Sequence, residues 1–171
     1  LHNKDMEINV WDRIIAFEGR MHEFIKAAYD YQDNTFHSHP GYYIDYFEMR
    51  LAQLQVLHNL HYEIKKIRKM PKQALVIADY IMYMADYVVE MNIPDQQIEK
   101  LEEISEQMKQ EELPKTREEF EGRALLYHIL MDLEEFLVYK KRFVNGLDEK
   151  KLRIYWKQEM EQKDSANELQ K

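Results

Sequence analysis

Four prolines, Pro40, Pro71, Pro94 and Pro114, each fall between stretches of periodic apolar residues and never inside one. A proline lacks the N–H that a helix interior needs, and its ring collides with the preceding turn. Such placement reads as punctuation between helices. From about Asp5 to Asp33, the residues Val10, Ile14, Phe17, Met21, Phe24, Ala28 and Tyr31 recur at alternating steps of four and three, which keeps one helical face apolar. Trp11, Ile15, Ile25 and Tyr29 widen that seam on one side, as a bundle core requires. Residues 33–41 lack periodicity and are rich in turn formers, so they read as a loop. A second helix follows over about Tyr42 to Lys69, with apolar positions from Phe47 to Ile67 on more than one face. At 1.5 Å per residue it spans roughly 40 Å.

The third stretch, about Lys72 to Met91, is apolar almost all round, which predicts a central place in the bundle. Asp79, Asp86 and Glu90 interrupt it. On a continuous helix they fall within about 20° of one line, either as a narrow exposed strip bridged to arginines or as a polar cleft. A fourth helix, about Asp95 to Glu112, turns Ile98, Leu101, Ile104 and Met108 inward under an acidic exterior. The fifth opens on Thr116-Arg117-Glu118-Glu119, a capping box in which the Glu119 carboxylate reaches back to Thr116. It runs to Phe143, with Gly146 expected as a left-handed terminator and Lys140, Lys141 and Arg142 complementing its negative end. A last amphipathic segment, about Asp148 to Glu161, carries Leu152, Trp156 and Met160. The expected fold is an all-α, up-and-down bundle of five to six helices. It forms a single domain over residues 1–163, and the polar tail 164–171 frays.

Composition narrows the function. With no cysteine, the chain has neither disulfides nor a thiolate metal site and fits a reducing compartment. A net charge of -8 argues against nucleic-acid binding, which needs clustered Lys and Arg. No signal-peptide-like leader opens the chain, and the most apolar window, Ala74 to Met91, holds three acids. Each Asp near the middle of a membrane span would cost about 2.5–3.5 kcal/mol, so the window reads as a core helix. Nucleophilic catalysis has no support, because the serines sit in no elbow motif. Adjacent Glu134 and Glu135 point in different directions. The chain is read as non-enzymatic and without a cofactor.

His58 and His61 lie three apart on one helical face, a spacing that would serve a metal if a carboxylate came from a neighbouring helix, and that otherwise marks two ordinary histidines. His37 and His39 in the loop are weaker candidates still. Lys65, Lys66, Arg68, Lys69 and Lys72 form a basic run across the second and third helices. Such a run complements a helix dipole, or it lies against anionic lipid head groups.

Two blocks, Tyr42 to Arg50 (YYIDYFEMR) and above all Leu113 to Leu126 (LPKTREEFEGRALL), together with Asp132 to Leu137 (DLEEFL), resemble the C-terminal domain of the aromatic acid exporter family of bacterial membrane proteins. The likeness spans about Tyr42 to Phe143, leaving out the loop around His37 to Gly41 and everything after Gly146. At Gly122 a polar residue is expected from the family pattern. The resemblance implies a domain on the cytoplasmic face of the bacterial membrane, partnered with an N-terminal transmembrane part, and serving assembly, gating or substrate sensing. In the sensing form, an aromatic carboxylate pairs with Arg50 or Arg123 and packs against Tyr43, Tyr46 or Tyr127, because a guanidinium matches a carboxylate bidentately. The competing expectation is that these arginines pair with Glu48, Glu121 or similar acids. If the first helix leaves a membrane, the second returns toward it and sets Lys65 to Lys72 at the lipid surface. The alternative function is an oligomerisation module built on the first helix's seam, and a metal-binding bundle is the third.

Overall fold

The computed structural model describes residues 2–34, 40–68, 70–147, 151–152 and 156, with side chains over 10–31 in the first range and from residue 41 in the second. Five helices follow in order: α1 (His2–Asn34), α2 (Pro40–Lys66), α3 (Ala74–Ala85), α4 (Asp95–Lys109) and α5 (Arg117–Asn145). Proline stands at or before helix starts, as anticipated. Pro40 is the first residue of α2, where its missing N–H costs nothing, and Pro94 precedes α4. His37 and His39 lie outside the described residues.

The helices alternate in direction. Trp11 near the start of α1 packs on His58 and His61 near the end of α2, and Phe24 stacks on Phe47 nearer the α2 start. Further along α1, the Tyr29 hydroxyl donates to Glu48 Oε1 at 3.0 Å. Between α2 and α5, Gln53 Nε2 donates to the Phe136 carbonyl at 2.8 Å. At opposite ends of the α4–α5 pair, Lys141 meets Asp95 at 3.1 Å and Arg123 approaches Glu111 at 3.9 Å. The expected up-and-down bundle is therefore what the chain forms.

The main core gathers Val56 and Leu60 of α2, Ile77, Tyr80 and Met84 of α3, Leu101, Ile104 and Met108 of α4, and the stripe Leu126, Ile129, Leu130, Leu133, Phe136 and Leu137 of α5. α2 and α5 are its long members, and α1 packs along α2 with no comparable contact to α3, α4 or α5.

Three expectations need correction. α3 is not central: Leu75 and Met82 are 70% and 72% exposed, and its buried residues are Ile77, Tyr80 and Met84. It also ends at Ala85, so Asp79, Asp86 and Glu90 share no continuous helix. Asp79 and Asp86 face solvent. Gly146 caps α5 at φ -79°, in the right-handed region, donating its N–H to the carbonyls of Arg142 and Phe143, while the Leu147 N–H donates to the Val144 carbonyl. The capping box is half as drawn. Thr116 Oγ1 accepts from the Glu119 N–H at 3.1 Å, while Glu119 Oε2 takes the N–H of Lys115 at 3.0 Å, one residue beyond the expected partner. Two anions of the first turn, Glu118 and Glu119, also suit the positive end of the helix.

Of the last predicted segment, Leu152 and Trp156 are described and Trp156 is buried, as its spacing implied. The remainder, including Met160 and residues 164–171, lies outside the described residues. No helix among the described residues is long and apolar enough to cross a membrane.

Candidate functional site

At the end of the bundle where α2 and α4 begin and α5 finishes, a second and smaller core forms from Tyr42, Met49, Phe143, Val144, Leu147 and Trp156. Its rings enclose polar groups. Tyr42 is fully buried, and its hydroxyl donates to Glu90 Oε1 at 2.7 Å while accepting from Trp156 Nε1 at 3.0 Å. Burial, the leading cause, pushes the Tyr42 phenol well above its ordinary range, and the neighbouring Glu90 carboxylate adds to it.

Beside this pair sits Lys140 of α5, only 4% exposed. Its ammonium donates to the Glu90 carbonyl and lies 5.3 to 5.8 Å from the ring centres of Phe143, Trp156 and Tyr46. At such distances the ring faces attract a cation. Desolvation, reinforced by the nearby Arg50 guanidinium, lowers the Lys140 amine to about 8. Arg50 of α2 donates from Nε to the Tyr46 hydroxyl at 3.0 Å and from a terminal nitrogen to Gln53 Oε1 at 2.9 Å. Its guanidinium stands 5.1 Å from the Tyr46 ring centre. Among the described residues no carboxylate lies within ion-pair distance of Arg50 or Lys140. Two cations and four aromatic rings thus converge with Gln53 beneath them.

The turn 86–94 covers this junction. Tyr87, Val88, Val89 and Asn92 close over Arg50, Gln53 and Lys140 and leave a void of about 10 Å³. That is room for about one water. As it stands, the site is shut.

The residues proposed from sequence divide. Arg50 and Tyr46 meet here, and Tyr43 is exposed with its ring edge-on to Tyr42 at 5.2 Å. Arg123 belongs to the opposite end, where it binds Glu119 at 2.7 Å and the Glu112 carbonyl. It therefore follows the intrabundle-pairing expectation, with Glu119 in place of Glu121, whose partner is Arg117 at 2.9 Å. Tyr127 also lies away from the junction, packed at the edge of the main core. Gly122, where a polar side chain is expected, is buried and borders the groove lined by Lys66, Arg68 and the first turns of α5. His58 and His61 both pack on Trp11, and no group of three or more metal-binding side chains occurs among the described residues. Lys65, Lys66, Arg68 and Lys72 are exposed, and the side chain of Lys69 lies outside the described residues.

Tyr42 and Gln53 carry no role of their own in the sequence reading, which gives Glu90 to an acidic line, Lys140 to the helix end and Trp156 to an amphipathic segment, and none of the five to the ligand set. For Lys140 a signal existed. It falls four and three residues after Phe136 and Leu137 and three and four before Phe143 and Val144, inside the apolar stripe of α5 and not on its solvent side. The expectation that it complements the helix end is therefore corrected.

Comparison with known proteins places these observations. A family model described as "Putative aromatic acid exporter C-terminal domain" matches residues 1–141, which carries the likeness through α1 and residues 35–39. "Uncharacterized protein YqjA" of Bacillus subtilis (strain 168) is 32% identical over 98 residues, 57% of this chain and 30% of that protein. The chain thus spans less than a third of that relative's length. A solved structure described as "putative membrane protein from Clostridium difficile 630" superposes with a TM-score of 0.67 at 26% identity, covering 76% of this chain and 77% of that one.

Proposed function

The chain belongs to the putative aromatic acid exporter C-terminal domain family, and from that premise we propose that it is a non-enzymatic accessory domain on the cytoplasmic side of a membrane protein, which senses an aromatic carboxylate at the Arg50–Lys140 junction. One observation carries this reading: two buried or half-buried cations, with no carboxylate within ion-pair distance among the described residues, share a site walled by Tyr42, Tyr46, Phe143 and Trp156. Glu90 is the one nearby acid that acts on Lys140 among the described residues, and a ligand carboxylate would add the direct countercharge, with its aromatic ring among the rings already there. Because the void holds about one water, a ligand is admitted only if the turn 86–94 lifts, and that movement is the signal a neighbouring domain would read. Thermal denaturation with a panel of hydroxybenzoates and their non-aromatic counterparts tests it. Stabilisation by the aromatic acids, abolished in Arg50→Gln and Lys140→Met, is expected. No stabilisation at millimolar ligand removes the sensing role.

A second reading, an oligomerisation module, is favoured by α1 alone. Val10, Phe17, Phe24 and Tyr31, one residue every seventh position, are between 41% and 56% exposed along its length. A repeat of seven is what a second helix needs in order to pack. Light scattering decides it, since a strict monomer at high concentration rules that role out.

A further inference from the structure

The opposite end of the bundle collects the first turns of α1, α3 and α5 and the last turns of α2 and α4. On it stands the connection from α2 to α3, which holds five cations in the eight residues from Lys65 to Lys72, in a chain of net charge -8. Lys66 is paired with Glu63 at 2.7 Å. Among the described residues, Lys65, Arg68 and Lys72 have no carboxylate within ion-pair distance. Apolar side chains project beside them. Met70, Leu75 and Leu113 are 63%, 70% and 85% exposed, and Met70, Lys72, Leu113 and Lys115 line one groove, which Glu111, Glu112, Glu118 and Glu119 also line. The acids of the neighbouring α4–α5 connection are occupied, Glu111 by Gln73 and Arg123, and Glu112 by Lys115 at 3.3 Å.

We infer that this end of the bundle docks on an anionic lipid surface, with Lys65, Arg68 and Lys72 against the head groups and Met70, Leu75 and Leu113 reaching into the interface. Protruding apolar residues among solvated cations meet both layers of such a surface at once. A second copy of this chain fits less well, because pairing the face with itself would set like cations against one another. Nucleic acid would leave the three apolar side chains with nothing to contact. α1 runs away from this end, so any chain preceding it would enter beside the same lipid surface. The inference shares with the sensing role the premise of a membrane-protein domain, but it depends on different residues at the far end of the bundle. A failed ligand panel leaves it standing, and a failed vesicle assay leaves sensing standing.

Co-sedimentation of the full chain with vesicles of phosphatidylglycerol and phosphatidylcholine, against pure phosphatidylcholine, is the test. Binding to the anionic vesicles should be at least about tenfold tighter, should weaken as salt is raised, and should be lost in Lys65→Glu/Arg68→Glu/Lys72→Glu. Met70→Ser/Leu113→Ser should weaken it severalfold with the charge intact. All these positions are exposed, so the variants should keep the wild-type circular dichroism and melting temperature. Negligible binding to both vesicle types, or binding that neither variant alters, overturns the proposal. A dimer in light scattering that Met70→Ser/Leu113→Ser dissolves would give the face to a second copy and overturn it as well.

Discussion

The two ends of this bundle are built from the same kinds of residue and treat them in opposite ways. At the end holding Lys140, a lysine and an arginine are wrapped by Tyr42, Tyr46, Phe143 and Trp156 and held by a backbone carbonyl, a phenol and an amide. At the other end, Lys65, Arg68 and Lys72 stand in water beside apolar side chains that are themselves exposed. The difference comes from position within the helical period and not from residue type. Lys140 sits on the apolar stripe of a helix with ten buried positions, whereas the basic run begins in the last turn of α2 and continues past its end, where the described cations are exposed. The first arrangement makes a cation costly to bury and sensitive to whatever brings a negative charge, and the second leaves it free to meet a surface.

The contrast is most easily broken by truncation. Trp156→Ala should destabilise the chain by about 3–5 kcal/mol in urea denaturation, whereas Leu113→Ala, an equally apolar residue at the exposed end, should stay within about 0.5 kcal/mol. Similar losses at both positions would mean the ends are not differently packed. Next in size is the response to pH. The unfolded chain keeps the Lys140 proton up to the ordinary lysine range, while the folded chain releases it near 8. At this group the unfolded state therefore binds more protons above about pH 8. Lys140 contributes a rise in stability between about pH 8 and 10 on the order of 2–3 kcal/mol, until ionisation of the unfolded Tyr42 and Tyr80 phenols, held protonated in the fold, works against it. Lys140→Met should remove that rise and be more stable than wild type at pH 7. Tyr42→Phe, which deletes the hydroxyl shared by Glu90 and Trp156, should cost about 1–2 kcal/mol with the fold intact. The smallest of these effects lies at the start of α5, where Thr116→Ala should cost about 1 kcal/mol, and Thr116→Ser should restore most of it.

Helix number and direction were legible because proline placement and apolar period act locally, and a residue's own neighbours decide both. The place of α3 was not. Its run of apolar residues is continuous, yet only Ile77, Tyr80 and Met84 are buried, with Ala74, Ile81 and Tyr83 packed at the core's edge, since α2 and α5 already fill the centre. Helix length misled in the same place. Residues 86–91 keep an apolar composition after α3 has stopped, so Glu90 leaves the acidic line and turns to Tyr42 instead. Of the five residues that charge and aromaticity put forward, Arg50 and Tyr46 meet at the junction, because they are one helical turn apart. Tyr42, Lys140 and Trp156 come from three distant parts of the chain, and only the packing of α2 against α5 brings them together. Arg123 shows the reverse, a residue inside the most family-like block that is spent on holding the α4–α5 connection.

The central claim is that a lysine cation is held inside a dry aromatic enclosure while the basic run at the far end remains solvated. Titration of the Lys140 ammonium by heteronuclear NMR, assigned by comparison with Lys140→Met, measures it directly. A midpoint near 8 is predicted. A midpoint in the ordinary lysine range, about 10.4, would show the amine to be hydrated and contradict the enclosure.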